Sequence, residues 1–293
     1  MTQTKSNLVI GVDGGGSNCR LALDTGTHVY EVRCGSANVS TDLNGALGTL
    51  RNGLESLAQS AGLTLDDLRH ARAYLGLAGV VSPQIAATVA EVLHMDDVVV
   101  EDDRIAAVVG ALGDDDGAVI GIGTGSFLAR RAHDHIELIG GWGFVLGDEA
   151  SGADLGRKLL SRALHASDGL IKGSALTTEI LDELNGPAGI VGFAATARPV
   201  DFAHFAPRIV AAANTGDDIA TALMKDGAAY IVSGLNRLGW KREERLCPIG
   251  GLAQQYADFL PANIAEALSN PDDSALAGAL ALARRLPRTG DTP

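Results

Sequence analysis

The sequence predicts an α/β fold built from two related halves, and two observations support this prediction. Apolar and amphipathic stretches up to Ile122 alternate as strands and helices in the order βββαβαβα, which is typical of two-layer α/β architecture. The segment VIGVDGGGS (9–17) has a counterpart in VIGIGTGS (119–126), where a short apolar strand again precedes a glycine-rich turn ending in serine. A repeated motif within a repeated order of elements indicates two copies of one structural unit.

Residue periodicity supplies the individual elements. Short apolar or alternating stretches predict strands, and apolar residues at helical spacing predict helices, with Ser82-Pro83 as a helix start. The second half is richer in helix than the first. The predicted strands are 8–12, 20–24, 28–33, 73–78, 98–100, 118–122 and 246–249, and the predicted helices are 43–61, 83–94, 103–112, 151–166, 174–184, 205–213, 217–238 and 274–285.

Composition excludes several classes of function. The chain of 293 residues has a formal net charge of −13. This disfavours a nucleic-acid partner, because nucleic-acid phosphates are bound by patches of Lys and Arg. Its three cysteines are far apart, which argues against a disulfide framework or a CxxC metal site. No signal peptide and no apolar run of membrane-spanning length is visible, so a cytoplasmic protein is expected. So acidic a protein must bind a nucleotide through backbone N–H groups and a metal.

The loop DGGGSNCR (13–20) admits three phosphate-binding interpretations, besides a plain hairpin turn without a ligand. A dinucleotide fingerprint would open a helix, whereas these glycines lead into CRLAL, which alternates like a strand. A Walker loop needs GxxxxGK[ST], a string that the sequence lacks. The remaining interpretation is a β-hairpin whose N–H groups face phosphates, with Asp13 beside it for a metal. GIGTGS (121–126) has the same character, and two such hairpins could clamp the phosphates of one nucleotide.

Two further segments carry candidate chemistry. Asp103 follows a strand and starts a helix, where a carboxylate is often a simple cap. Its spacing before the second glycine loop favours a general base that accepts a proton from a substrate hydroxyl, with Asp102 as a neighbour without a role. GGWGFVLGDEASG (140–152) combines glycines that allow close approach of a ligand with Asp148, which could bind sugar hydroxyls. The alternative is a glycine-rich loop with an acid at a helix start.

Together these motifs resemble the BadF/BadG/BcrA/BcrD-type ATPase family of the actin/hexokinase/Hsp70 superfamily. Within the family they look most like the amino-sugar kinases, which act on glucosamine or N-acetylglucosamine. The resemblance implies a two-domain, actin-like (ribonuclease H-like) fold with a central cleft. It also implies a first domain of residues 1–113, with a C-terminal helix at 272–286 packing back on it, a larger domain of residues 114–271 and a tail at 287–293. The motifs that carry the resemblance are DGGGSNCR, GSANVS (35–40), GLAG (76–79), EDDRIAAVVGAL, GIGTGS, GGWGFVLGDEASG, PIGGLA (248–253) and DSALAGALALA.

The resemblance also implies a role for each matching residue in an ATP- and Mg²⁺-dependent kinase. Asp103 would be the base for the sugar 6-hydroxyl, and Asp13 would hold Mg²⁺. The expected partners are a small sugar and ATP, with no nucleic acid and no membrane, and the expected assembly is a homodimer. The phosphates would meet Gly14, Gly15, Gly16 and Ser17 in the first loop and Gly123, Thr124, Gly125 and Ser126 in the second; the adenosine would meet Gly250 and Gly251; the sugar would meet Asn38, Asp103, Gly141, Trp142, Gly143 and Asp148.

Three alternatives stay open beside the amino-sugar kinase. A dehydratase activator with an iron–sulfur cluster would need clustered cysteines, which the sequence lacks. A non-catalytic sugar sensor on the same scaffold and a kinase for another small substrate are the other two. Phe127 departs from the family pattern after GTGS, where a polar residue or cysteine is common. The sequence does not decide between free glucosamine, N-acetylglucosamine and another sugar.

Overall fold

A computed structural model describes residues 8–16 and 18–287. The chain divides into two compact units. Unit 1 comprises the chain up to Asp114 together with the chain from Pro271 onward, and unit 2 comprises Asp115–Asn270. Each unit has its own β-sheet and its own hydrophobic core, which confirms the predicted α/β fold.

The sheet of unit 1 has five strands in the order β3-β2-β1-β4-β5. Strands β1, β2 and β3 form an antiparallel meander, and β1, β4 and β5 run parallel, as helical crossovers require. The elements are β1 (Val9–Gly14), β2 (Cys19–Asp24), β3 (Val29–Cys34), α1 (Leu43–Ser60), α2 (Leu65–Leu68), β4 (Arg72–Leu77), α3 (Pro83–Leu93), β5 (Asp97–Asp102) and α4 (Asp103–Leu112).

Both faces of this sheet are covered. One face packs on α1 and α3 through a core that includes Leu21, Leu50 and Leu57. The other face packs on α4 and on a helix from the far end of the chain, α12 (Ala275–Arg285), which brings Leu280 onto β1. The approach is so close that a Cβ at Gly11 would lie 2.7 Å from the Leu280 backbone nitrogen.

The sheet of unit 2 has four strands in the order β8-β7-β6-β9. Its antiparallel meander and its parallel strand β9 repeat the arrangement of β3, β2, β1 and β4. Where unit 1 has a fifth strand, unit 2 has a single bridge between Leu246 and Leu268, so the predicted repeat of eight elements is shortened there. The elements are β6 (Gly117–Ile122), β7 (Ser126–Ala132), β8 (His135–Gly140), α5 (Gly152–Ser167), α6 (Ala175–Glu183), α7 (Gly186–Thr196), α8 (Pro199–Ala203), α9 (Ala206–Asn214), α10 (Asp218–Leu238), β9 (Arg245–Ile249), a 3-10 helix (Ala253–Phe259) and α11 (Ala262–Ala265).

Candidate active site

The first glycine loop joins β1 to β2 as a hairpin rather than opening a helix. Gly14 pairs with Cys19 in the strand register, and the Gly15 N–H donates to the Asn18 carbonyl at 2.8 Å. Gly14 is closely packed, because a Cβ there would lie 2.5 Å from Leu77 Cδ2. Gly16 is exposed at the tip, so its backbone can meet a ligand, whereas Ser17 lies outside the described residues.

The parallel strands of unit 1 gather two carboxylates at one edge of the sheet. Asp13 lies near the carboxyl end of β1, and Asp103 follows the carboxyl end of β5. Gly76, near the end of the intervening β4, makes room between them, since a Cβ there would lie 3.1 Å from Asp103 Cα. The carboxyl ends of parallel strands are where open α/β sheets bind ligands.

The two carboxylates have different partners. Asp13 accepts from the Arg20 guanidinium, with Nη2 and Nε at 2.5 and 3.1 Å from the same oxygen, Oδ2. Arg20 was missed from the sequence, although it stands opposite Asp13 in the β1–β2 register, and the alternation in CRLAL already pointed to that hairpin. Asp103 lies in an acidic, desolvated environment. Burial chiefly, with the negative charges of Asp102 and Asp13, raises the pKa of Asp103 from 3.8 to about 7.

Asp102 is the N-cap of α4. Its carboxylate accepts from the Arg104 backbone N–H at 2.9 Å and from Arg104 Nε and Nη2 at 2.6 and 2.7 Å. The capping role that the sequence allowed for Asp103 therefore belongs to Asp102.

Asn38 lies beside the first loop, with its side chain built into a turn. Its Oδ1 accepts from the backbone N–H and the hydroxyl of Ser40, at 3.0 and 2.8 Å. Its Nδ2 lies 3.8 Å from the position that a Cβ of Gly16 would take. Asn38 thus presents an amide donor next to the first glycine loop, in the same unit as Asp13 and Asp103.

The second glycine loop joins β6 to β7 and is bonded to the side chain of Asp148. The buried Asp148 carboxylate accepts from the Ser126 N–H at 3.4 Å, and a Cβ at Gly125 would lie 2.9 Å from its Oδ2. Burial raises the pKa of Asp148 above its ordinary value despite the N–H donors of Ser126 and Gly143. The Phe127 ring lies against Gly121, where a Cβ would come within 2.3 Å, so Phe127 packs beneath the loop.

The segment before Asp148 is exposed and apolar. Trp142 is 74% exposed, and Val145 and Leu146 are 90% and 83% exposed. Gly141 and Gly143, with φ of 73° and 83°, shape this loop, and Gly141 N–H donates to the Ser126 carbonyl at 2.9 Å. The loop is therefore rooted at the second glycine loop, and its indole is available to a ligand.

A pocket of about 580 Å³ opens next to the second loop, within unit 2. Gly250 has φ of 84°, and a Cβ there would lie 2.4 Å from the Ile122 carbonyl, so the turn after β9 approaches this loop closely. The volume suits a small ligand. The sequence analysis found the glycines at its rim but did not place its apolar wall, to which the unpredicted α8 contributes Val200 and Ala203. The pocket is lined by Gly123, Thr124, Gly152, Val200, Ala203, His204, Ala206, Pro207, Val210, Gly251, Leu252 and Gln255.

Residues 8–16 and 18–287 were searched for membrane-spanning helices and for clusters of metal-binding side chains. No helix among them is both long and apolar enough to span a membrane. Within the same ranges, no three His, Cys, Asp or Glu side chains are grouped so as to hold a metal ion by themselves.

These features define the class of protein. Two sheets, each beginning with an antiparallel meander whose first turn is rich in glycine, form the fold of actin-like ATPases and sugar kinases. A ROK family glucokinase from Streptomyces griseus shares the fold, with a TM-score of 0.56, 17% identity, and coverage of 95% of this chain and 100% of the other.

The chain belongs to the BadF/BadG/BcrA/BcrD ATPase family, whose model matches residues 10–280. This confirms the resemblance seen in the motifs. A glucosamine kinase of Vibrio cholerae is 31% identical over 94% of this chain and 96% of its own length. An N-acetylmuramic acid/N-acetylglucosamine kinase of Clostridium acetobutylicum is 28% identical over 60% of each chain. A solved structure from Chromobacterium violaceum, assigned as an N-acetylglucosamine kinase, has a TM-score of 0.85 and 29% identity over 95% of this chain and 99% of that chain.

Proposed function

We propose that the protein is an ATP-dependent amino-sugar kinase that phosphorylates the 6-hydroxyl of glucosamine or N-acetylglucosamine. The kinases that it resembles along most of its length act, by their names, on these two sugars or on N-acetylmuramic acid. The observation that carries the proposal is the acidic edge of the unit 1 sheet, where Asp103 lies near Asp13 and next to a glycine hairpin. Phosphoryl transfer needs a base, a metal ligand and backbone donors, and this edge supplies all three.

Asp103 is the proposed general base. A pKa of about 7 leaves a large fraction of the carboxylate ionised at neutral pH and still basic enough to take a proton. As the sugar O6 attacks the γ-phosphorus, its proton passes to Asp103 and the bond from the γ-phosphorus to the β,γ-bridging oxygen breaks. The products are the sugar 6-phosphate and ADP, with one proton released.

Asp13 is the proposed Mg²⁺ ligand. Mg²⁺ prefers oxygen donors and commonly keeps several waters while bridging one or two carboxylates and the substrate phosphates. The donor set fits this pattern, because both Arg20 contacts fall on Oδ2 and leave Oδ1 to a water or an ion. When bound, the ion would neutralise phosphate charge. Asp13→Asn should raise the Mg²⁺ concentration needed for half-maximal rate about 10–100-fold, which a titration at fixed ATP would measure.

Unit 2 supplies the remaining contacts in this proposal. The second glycine loop, residues 123–126, would contact phosphate, and the adjoining pocket, with Gly250 and Gly251 at its edge, would take the adenosine. Trp142, Gly141, Gly143 and Asp148 stay the predicted sugar contacts of this unit. The homodimer and the cytoplasmic location also stay predictions, and light scattering of the purified chain tests the first.

A coupled ADP-release assay over glucosamine, N-acetylglucosamine and glucose tests the function. We expect turnover with at least one of the two amino sugars, and a product whose 6-position carries phosphate by NMR. Turnover of glucose alone would show that the protein is a kinase for a sugar other than an amino sugar. ATP and sugar binding without turnover of any hexose would favour the non-catalytic sensor.

A further inference from the structure

The turn that follows the exposed apolar loop has an unusual backbone. We define the Asp148 turn as residues 147–151. Asp148 and Ala150 have φ of 61° and 67°, the left-handed region that side chains disfavour, with Glu149 between them. Such conformations persist only where the surrounding structure holds them, and they concentrate at functional sites.

The Asp148 turn is bonded to the second glycine loop along its length. Ser126 Oγ donates to the Glu149 carbonyl at 2.6 Å, in addition to the contact between the Ser126 N–H and Asp148. Just beyond the turn, the Gly152 N–H donates to the Gly123 carbonyl at 2.8 Å. The conformation of the turn therefore decides where the N–H groups of this loop point.

Ala150 is held at both of its backbone polar groups by side chains that the proposed mechanism does not use. Its carbonyl accepts from the Tyr256 hydroxyl at 2.7 Å, and its N–H donates to Asp154 Oδ2 at 3.3 Å. Tyr256 is fully buried. Burial, with the nearby Asp154 carboxylate, raises the pKa of Tyr256 far above its ordinary value, so the hydroxyl remains a donor at any working pH.

The helix facing Tyr256 has made space for this hydroxyl. Gly227 lies inside α10, where glycine weakens a helix relative to alanine. A Cβ at that position would lie 2.4 Å from Tyr256 Oη. Tyr256 also belongs to the 3-10 helix, in which the residue before it, Gln255, lines the pocket beside the second loop.

We infer that Tyr256 is a positioning residue, which holds Ala150 left-handed and thereby sets the geometry of the second glycine loop for phosphoryl transfer. Tyr256 acts through the Asp148 turn and does not touch the substrate. The part of the inference that concerns kcat/KM rests on the proposed kinase function. The part that concerns the backbone conformation of unit 2 does not.

The test is Tyr256→Phe with and without Ala150→Gly. Phenylalanine keeps the buried ring and loses only the hydroxyl, so we expect a folded protein whose kcat/KM for ATP falls about tenfold, the worth of one hydrogen bond. Glycine adopts the left-handed conformation at no cost, so Ala150→Gly should return most of the lost rate in the double variant. Amide exchange at residues 147–153 should be faster in Tyr256→Phe and slower again in the double variant, with no ligand present.

Two controls separate positioning from general stability. Thr177→Val removes another buried hydroxyl of unit 2, which donates to the Ser174 carbonyl at 3.0 Å, and should lower the melting temperature without changing kcat/KM. Asn185→Gly relaxes a left-handed residue elsewhere in unit 2, with φ of 59°, and should stabilise Tyr256→Phe without restoring its rate.

An unchanged rate in Tyr256→Phe, or a loss that Asn185→Gly restores as well as Ala150→Gly does, would overturn the inference. If Tyr256→Phe does not fold, Gly227→Ala replaces it, since the added methyl displaces the hydroxyl and the rescue by Ala150→Gly should be the same. If the wild-type chain phosphorylates no sugar, the proposed function fails, and the amide-exchange comparison still decides whether Tyr256 holds the turn.

Discussion

Neighbouring carboxylates in this protein differ because their immediate partners differ. Asp102 is saturated by the backbone and side chain of Arg104, whereas desolvation and two like charges dominate at Asp103. Two adjacent aspartates in the sequence do not reveal this difference in contacts. The cap that the sequence allowed at Asp103 belongs to Asp102, which the sequence analysis treated as a neighbour without a role, and the role of Asp103 as a base stays a prediction.

Asp103→Asn should lower kcat by two or more orders of magnitude, which is the usual worth of general-base catalysis. In the wild type, kcat/KM should fall as pH drops through about 7, because protonation removes the base. Steady-state kinetics between pH 5.5 and 9 would check both, at ~0.5 unit intervals. Asp134→Asn, at a fully exposed carboxylate, is the matched control and should behave as wild type. A near-normal rate for Asp103→Asn would reduce Asp103 to a structural residue.

The same substitution should stabilise the fold. A carboxyl whose pKa rises from 3.8 to about 7 on folding makes the folded state bind more protons than the unfolded state between these values. Wild-type stability is therefore lost as pH rises from about 4 to about 7, and the loss is complete above 7. The melting temperature of Asp103→Asn should exceed that of the wild type by a margin that widens over this range and then stays constant. A margin independent of pH would contradict the raised pKa.

At the scale of elements, two glycines of the second loop have unequal surroundings. An added Cβ at Gly125 would meet the Asp148 carboxylate, whereas nothing lies within 4 Å of one at Gly123. Gly125→Ala should therefore destabilise the protein by about 1–3 kcal/mol, the usual cost of overpacking. Gly123→Ala should leave stability unchanged or slightly raised, and the pair can be compared by urea unfolding. Equal losses in the two variants would show that Asp148 does not support this loop.

Elements with a clear period were predictable from the sequence, and those without one were not. Helices α4 and α10 end within one residue of their predicted bounds, because apolar faces and caps mark both. Helix α7 was missed, since its sequence GPAGIVGFAAT has three glycines, a proline and no polar face. Helix α8 and the 3-10 helix are too short for a periodic signal. Both contribute to the wall of the unit 2 pocket, which is why that part of the pocket was not predicted from the sequence.

At the scale of the whole molecule, unit 2 is continuous in the chain and unit 1 is not. Unit 2 has its own large core, which includes Leu159, Met224 and Tyr256. Residues 115–270 alone should therefore fold and melt cooperatively. Residues 8–114 alone should not, because Leu276, Leu280 and Ala283 of α12 complete the second face of their sheet. Circular dichroism melts of the two fragments would check this, and a cooperative melt of 8–114 would show α12 to be dispensable.

The return of α12 to the first sheet has a consequence for synthesis on the ribosome. Domains ordinarily fold in the order in which they emerge, but here one face of the first sheet lacks its second helix until α12 has been made, after the whole of Asp115–Asn270. At about 5–20 residues per second, that interval lasts roughly 8–30 seconds. During it one face of the sheet, which includes Val9, Ala22 and Tyr74, is covered by α4 without α12, and this is the stage at which a chaperone would have most to protect.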